Sequence, residues 1–428
     1  MTAPSSARVA LVNLGCRLNR VESDIVANAL ISAGCELVDK SEADAIVINT
    51  CAVTGEAQTK TRKAVRGAAR LSQSPFVVAT GCAASLFASE LRELGPNVVV
   101  EARKDLVAKR VLQLLGTEAG REVRTGILAL SPTPTGRTRP GIKIQDGCDN
   151  RCTYCIVWKA RGPSRSVSSG EVVRAVEEAY GRGAHEVVLT GVNLGNYRTS
   201  EKDELGIGVG LDGLLSHILR TTSIDRVRIS SLEPPDVSCG LLDVMASSGG
   251  RVAPFLHICL QSGCDATLKR MGRVYDTSLY ARVVEQARAR MPRLALGCDL
   301  IVGFPGETEE EFEQSYSFCE QMEFARMHVF RYSRRPGTPA AQYRDQVPPE
   351  TMARRSEAMR TLAKRMRLRC MEGLLGTSED VLVQSAGRAV SEGLFDVLVD
   401  ESLPVGEFAH VRFETIEEGA LVGKCIKS

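Results

Sequence analysis

The chain is predicted to be α/β, with an N-terminal parallel α/β domain, a partial (β/α) barrel and a small C-terminal OB-like β-barrel. Three observations predict it. Short apolar runs alternate with helical patterns through residues 1–125, the pattern of a parallel layer. The alternation resumes with six strand-like runs between about 140 and 330, enough for a partial or full parallel barrel. Beyond residue 375 the pattern changes to short β-like runs, with Pro404 and Gly406 between the last two, as in an OB-type barrel. A length of 428 residues agrees with two or three domains.

In the first domain, residues 9–14, 45–48 and 76–79 read as strands, and 20–31 and 58–71 as helices. Each strand runs into a cysteine-bearing turn: Leu14-Gly15-Cys16, Asn49-Thr50-Cys51 and Thr80-Gly81-Cys82. Loops at the carboxyl ends of parallel strands gather on one edge, where ligands bind. Cys16, Cys51 and Cys82 are therefore expected to meet. Pattern alone leaves both a metal site and three buried thiols open. A linker is expected at Ser131-Pro132-Thr133-Pro134-Thr135-Gly136, rich in residues that cannot continue a helix or a central strand. The barrel strands are expected at 142–145, 186–189, 226–230, 255–259, 294–301 and 328–330. A basic helix follows, with Arg354, Arg355, Arg360, Lys364, Arg365, Arg367 and Arg369 against Glu357. Residues 378–428 reverse the sign, with ten acidic side chains against four basic ones. β-like runs at 381–384, 394–399 and 409–413 fall there. The expected domains are 1–125, 126–350, a basic linker helix at 351–375, and 376–428.

Fourteen cysteines in such a chain need a cause. Disulfide frameworks belong to small secreted domains, and the N-terminus lacks a basic region followed by an apolar run. No apolar stretch approaches the ~20 residues that cross a bilayer. The expectation is a cytoplasmic protein with no membrane association, whose clustered thiols hold metal or react. Cys148, Cys152 and Cys155 form a Cys-x3-Cys-x2-Cys loop just after the first barrel strand, on the face where such barrels carry their chemistry. A cubane iron–sulfur cluster usually takes four thiolates. Three leave one iron open to chelate S-adenosylmethionine (SAM), whose reductive cleavage gives a 5′-deoxyadenosyl radical. Structural zinc wants four ligands, and no second pair stands nearby. Tyr154, between two ligands, could lay its edge beside the adenine. Cys35, Cys239, Cys259, Cys264, Cys298, Cys319, Cys370 and Cys425 show no ligand spacing and read as small buried hydrophobes.

The chain resembles the radical SAM methylthiotransferases along essentially its whole length. The three cysteine-bearing turns stand in the order of that family's N-terminal domain. The middle matches through Lys143-Ile144-Gln145-Asp146-Gly147-Cys148, Ala160-Arg161-Gly162, Leu189-Thr190-Gly191, Gln261-Ser262-Gly263, Lys269-Arg270-Met271 and Val302-Gly303-Phe304-Pro305-Gly306-Glu307-Thr308. Tyr332-Ser333 and Pro336-Gly337-Thr338-Pro339-Ala340 complete it. Trp158-Lys159 replace the usual proline after Cys-Ile-Val. The C-terminal piece resembles a shortened TRAM domain, an RNA-binding module. The resemblance implies two [4Fe–4S] clusters, an auxiliary one on Cys16, Cys51 and Cys82 and a radical SAM one on Cys148, Cys152 and Cys155. It implies two SAM molecules, one methylating a sulfur at the auxiliary cluster and one yielding the radical that activates a C–H bond. Leu14-Gly15-Cys16-Arg17-Leu18-Asn19 and Asn49-Thr50-Cys51-Ala52-Val53-Thr54 look most like the branch acting on threonylcarbamoyladenosine at position 37, in the anticodon loop of tRNA. The alternatives are isopentenyladenosine in tRNA, a ribosomal protein, and, remotely, a non-catalytic metal-stabilised RNA-binding protein. An electron donor such as flavodoxin or ferredoxin and a sulfur donor are implied partners.

Other candidates are weighed residue by residue. Gly191, Asn193, Gln261, Ser262 and Gly303 follow barrel strands and are candidate SAM contacts, or else residues that tight turns need. Arg270 and Arg273 could grip a carboxylate or phosphate, or cap a helix. His257 and His328 read as core or rim histidines. Lys60, Arg62, Lys63, Arg66 and Arg70 recur at helical spacing just after a cluster cysteine and are candidate RNA contacts, or a plain solvated face. The acidic tail would suit a basic protein partner; the two basic helices suit nucleic acid.

Overall fold

The computed structural model describes residues 6–117, 137–200 and 209–426, so the expected linker at 131–136 lies outside it. The first domain runs β1 (Arg8–Asn13), α1 (Arg17–Ser32), β2 (Glu36–Leu37), β3 (Ala45–Thr50), α2 (Gly55–Ala69), β4 (Phe76–Gly81) and β5 (Val98–Val100). Its parallel sheet has the order β2-β1-β3-β4-β5. The central strand, Ala-Ile-Val-Ile-Asn-Thr, is buried throughout, as expected of a strand covered on both faces. Its period of two sorts the core: Ile46 and Ile48 pack with Val65 and Leu91, while Ala45 and Val47 pack with Val26, Leu30 and Val111. The two short outer strands, β2 and β5, carry too few residues to show a period.

The barrel strands are β6 (Gly141–Lys143), the short hairpin β7 (Gln145–Asp146) and β8 (Arg165–Ser166), then β9 (Glu186–Thr190), β10 (Arg226–Ile229), β11 (Phe255–His257), β12 (Ala295–Val302) and β13 (Arg326–Arg331). β6, β9 and β10 pair in parallel, as do β11, β12 and β13. Parallel bridges at Val227–Val252 and Leu232–Ile258 join the two halves. Among the described residues β6 and β13 do not pair, so the barrel is partial and open on that flank. The first domain fills the opening. A Cβ on Gly141 of β6 would fall 2.2 Å from Val21 Cγ2 of α1, so only glycine permits this approach.

Charge fixes the docking. Arg161, 4% exposed at its side chain, donates from Nη1 to Glu22 Oε1 and Asp146 Oδ1, both at 2.9 Å, and from Nη2 to Asn19 Oδ1 at 3.1 Å. Lys143 Nζ reaches Glu22 Oε1 at 2.9 Å and Asp146 Oδ2 at 2.7 Å, and Lys104 closes on Glu22 from the other side. Burial alone would raise the Glu22 pKa, but Arg161, Lys104 and Lys143 outweigh it and hold the carboxyl down to about 2. At the other contact, α2 meets the barrel's 333–335 turn: Gly55 N–H donates to Ser333 Oγ at 2.9 Å and Arg335 to Gln58 at 2.8 Å.

A helix, Pro349–Glu372, leads to β14 (Ser378–Ser385), β15 (Arg388–Val390), β16 (Asp396–Leu398), β17 (Phe408–Glu417) and β18 (Ala420–Cys425), a closed barrel ordered β14-β15-β16-β18-β17. The helix is less free a cation than its sequence implies. Arg355 is buried against Glu307 at 2.7 Å, and Arg354, Arg365 and Arg367 pair with Glu309, Glu320 and Asp396. The small barrel sits under the entry ends of the large one. Phe255, Ala295 and Ala325 share its core, and Arg228, 2% exposed, donates to Glu186 Oε1 at 2.7 Å and to the carbonyls of Glu392 (2.6 Å) and Ser391 (3.0 Å).

Two outcomes are expected. Arg228→Ala removes the nearest cation from Glu186, which has no exposed surface and keeps only Arg139 and Arg226 at 3.7 Å, and should cost about 2–3 kcal/mol in urea unfolding; a loss under 1 kcal/mol would contradict this account. Glu22 carries a folded pKa below its ordinary 4.5, so its contribution is complete above that value and fades as pH falls toward about 2. The stability gap between wild type and Glu22→Gln, measured by urea midpoint, should therefore shrink through that window. A gap that does not change with pH contradicts it.

Candidate active site

The three strand-end cysteines are brought to one edge by an asparagine pair. Asn19 Nδ2 donates to Asn49 Oδ1 and to the Thr50 carbonyl, both at 2.9 Å, and Asn49 Nδ2 donates back to the Asn19 carbonyl at 2.7 Å. This ties the start of α1 to the end of β3. Thr50 Oγ1 extends the tie to β4, donating to the Thr80 carbonyl and accepting from Ala84 N–H. Gly81 stands at φ +92°, where a Cβ would meet Asn49 Oδ1 at 2.4 Å, so the residue before Cys82 has to be glycine. Cys16 donates to Asn19 Oδ1 at 3.3 Å. Burial raises the Cys51 thiol's pKa, against an N–H from Val53, and the neighbouring Cys82 and Cys16 add to it.

The second loop is held as tightly. Gly147, at φ +77°, passes so close to Pro163 that a Cβ would lie 1.9 Å from its carbonyl oxygen. Cys148 N–H donates to the Gly162 carbonyl at 3.0 Å, and Thr153 bonds the 270–271 backbone through both N–H and Oγ1. Arg273, whose Nη2 lies 2.7 Å from Glu233, donates from Nη1 to Cys152 Sγ at 3.0 Å. Burial, partly offset by the Val157 N–H and reinforced by Cys152 and Cys148, pushes the Cys155 thiol up to about 12. Trp158 takes a cation–π contact from Arg151 at 4.6 Å, and Lys159 Nζ donates to the Gly337 carbonyl at 2.5 Å. These contacts anchor the loop where the family carries proline.

Both sets open on one cavity of about 600 Å³, which Cys16, Cys82, Cys148, Cys152 and Cys155 line together. No disulfide forms among the described cysteines. Within each set the ionised form of one thiol raises the pKa of its neighbours, and a bound cation would hold the three as thiolates. The residues present therefore fit an iron–sulfur cluster at each set.

The structure sorts the remaining candidates. Tyr154, Gly191, Asn193 and Gln261 line the cavity; Tyr154 packs edge-on against Phe304, with ring centroids 6.4 Å apart. Ser262 and Gly303 are not among the lining residues. Ser262 Oγ accepts from Cys264 N–H, and Gly303 lies under Met352, 2.2 Å from where its Cβ would be. Arg270 is spent on Glu311, and Arg273 supports Cys152. His257 and His328, read as core or rim residues, instead stack in the cavity at 5.9 Å with Asp299 beside them. Cys259 joins the wall, burial holding its thiol well above the usual range, while Cys239 and Cys425 are exposed rather than buried. Desolvation by the surrounding walls, and then the like charges of Arg139, Arg326 and Arg228, lower the Arg17 guanidinium to about 10, although the residue is solvent-exposed on the cavity side.

Gln145 was missed. Fully buried, it accepts at Oε1 from Val192 and Asn193 N–H, both at 2.9 Å, and donates to the Gly147 carbonyl at 2.8 Å. It thereby fixes the Gly191–Asn193 turn to the cysteine loop. Its place before Asp146-Gly147-Cys148 was the available signal. The basic residues Lys60, Arg62, Lys63, Arg66 and Arg70 are all exposed on α2. Lys60 pairs with Glu56 and Arg62 with Glu90; Arg62, Lys63, Arg66 and Arg70 form one stripe along a shallow depression with Thr59 and Gly67.

Residues 142–319 match the Radical SAM superfamily, and residues 8–101 match uncharacterized protein family UPF0004. Among curated relatives is the threonylcarbamoyladenosine tRNA methylthiotransferase MtaB of Thermotoga maritima, 33% identical over 97% of this chain and 96% of the relative. The MtaB of Bacillus subtilis is 36% identical over 80% of this chain and 77% of its own. The tRNA-2-methylthio-N(6)-dimethylallyladenosine synthase of Novosphingobium aromaticivorans is 30% identical over 90% and 89%. The radical SAM methyltransferase TsrM of Kitasatospora setae shares the fold at TM-score 0.55 and 17% identity, over 78% of this chain and 77% of that one. SAM and a [4Fe–4S] cluster are the cofactors of that superfamily's chemistry. With both family models matched in order and relatives aligned end to end, the chain belongs to the radical SAM methylthiotransferases.

Proposed function

We propose that this tRNA methylthiotransferase acts on threonylcarbamoyladenosine at position 37 and gives its 2-methylthio derivative. One observation carries the reading: two separately built thiol sets, one from each domain, open on a single cavity. Clusters held by the two sets would supply their radical and sulfur chemistry to one shared space. When bound, the clusters and SAM supply the radical, the sulfur and its methyl group. The chain's own task is placement. Arg161 holds the two domains at one spacing, Gln145 sets the Gly191–Asn193 wall, and Arg273 supports Cys152. Cys16, Cys51 and Cys82 would hold the auxiliary cluster and Cys148, Cys152 and Cys155 the radical SAM cluster; Tyr154, Gly191, Asn193 and Gln261 would meet SAM. The substrate follows the MtaB relatives, and the 30% identity to the dimethylallyladenosine enzyme keeps the isopentenyl substrate as the second reading. Lys63, Arg66 and Arg70, for which no ion pair is found among the described residues, offer the anticodon stem-loop a cationic stripe along the second half of α2. An electron donor such as flavodoxin or ferredoxin and a sulfur donor complete the requirement.

Mass spectrometry of tRNA nucleosides from cells lacking the gene tests the substrate. The 2-methylthio derivative of threonylcarbamoyladenosine should vanish and return with the wild-type gene but not with Cys152→Ala; an unchanged profile rejects the reading. In purified protein, Cys152→Ala should abolish SAM cleavage while leaving the other cluster assembled. Cys51→Ala should retain SAM cleavage and yield no methylthio product. Lys63→Glu with Arg66→Glu should weaken stem-loop binding by roughly tenfold or more at low salt, with the deficit closing as salt rises. An unaltered affinity removes the stripe from the interface.

A further inference from the structure

The cavity wall carries more guanidinium than carboxylate side chains. Its described part has Arg17, Arg161, Arg273 and Arg326 against two carboxylates, Glu233 and Asp299. Arg161 is answered from outside the wall by Glu22 and Asp146. Glu233 is taken by Arg273 at 2.7 Å and by Asn150 at 3.0 Å, and Asp299 lies 3.3 Å from His257 Nε2. Among the described residues no carboxylate lies within 4 Å of the guanidinium of Arg17 or of Arg326. Two guanidinium groups thus face the cavity with no carboxylate in ion-pair range, and an anionic ligand can pair with both. A divalent cation on His257, Asp299 and His328 would stand beside these same two charges, so the wall favours an anion.

Position narrows the ligand. Arg326, His328 and Phe330 alternate along β13 and all line the cavity, with Phe330 45% exposed. Arg326 opens the strand; Phe330 stands four residues on, about 13 Å nearer its carboxyl end, the end where barrel chemistry is carried. An aromatic face toward the mouth, Arg326 at the strand's other end and Arg17 on the same cavity suit a base with an acidic arm. We propose that Arg17 and Arg326 form a subsite for the carboxylate of the substrate's amino-acid arm, and so select a threonylcarbamoyl over a neutral isopentenyl group. This rests on the substrate reading above.

The test uses cluster-loaded enzyme and two synthetic anticodon stem-loop RNAs, one with the threonylcarbamoyl arm as free acid and one with the arm as its uncharged methyl amide. Wild type should bind the acid ~10- to 100-fold more tightly than the amide. Arg326→Gln should bind both at the level of the amide, and Arg326→Lys should restore part of the preference. An acid preference that survives in Arg326→Gln overturns the subsite. So does an equal loss for acid and amide, which would assign the charge to backbone phosphate. A loss of SAM affinity in RNA-free Arg326→Gln would assign it to the carboxylate of SAM and likewise overturns the proposal. Failure of the substrate reading looks different: wild type would then methylthiolate an isopentenyladenosine stem-loop and neither of these RNAs, and both claims fall.

Discussion

Arg161 is the constraint on which the two-domain arrangement depends. Its two terminal nitrogens reach Glu22 and Asn19 from the first domain and Asp146 from the second. Asn19 Oδ1 also accepts from Cys16, and Asp146 Oδ1 also accepts from Gly147 N–H at 2.8 Å, one residue before Cys148. A single guanidinium therefore touches the hydrogen-bond partners of both cysteine sites. Buried ion networks add little net stability against an apolar alternative, but their geometry is exacting. Here that geometry sets one spacing between two reaction centres. A chain that must carry a group from one centre to the other gains more from fixed distance than from extra stability.

Around that contact, each centre is built from the backbone outward. The auxiliary set uses the ends of parallel strands, which any doubly covered sheet aligns on one edge. What the fold does not supply is the last few ångströms. The Asn19–Asn49 pair and Thr50 provide those, and Gly81 gives the room they need. The radical SAM loop has no such edge, and it is cinched by Gly147 against Pro163 and by Thr153 against the 270–271 backbone.

The parts that were legible in the sequence had local signals. All six main barrel strands and the three long strands of the first domain showed as apolar runs, and the six thiols showed as a short spacing or as strand-end positions. Short elements were not legible: β2 has two residues, β15 three, and the Lys and Cys of β18 blur its alternation. Nor were contacts that join distant segments. Gln145 acts through the turn at 191–193, and His257, Asp299 and His328 meet across three strands. The basic helix misled for a related reason. Composition counts charges but not their partners, and Arg355 is answered by Glu307, 48 residues away. Local pattern reports periodicity and motif; tertiary pairing decides which polar groups remain available.

Leu394 belongs to the small C-terminal barrel, between β15 and β16, yet it reaches the cavity that the cysteines line. It does so from a left-handed backbone, φ +63°, a conformation that costs a residue without glycine's freedom about 1–3 kcal/mol. Beside it, Gly393 runs so near Ala295 that a Cβ would sit 2.9 Å away. The tail module thus contributes to the wall of the cavity as well as forming a barrel of its own. A change of side chain at 394 would therefore reshape that wall while leaving every cysteine in place.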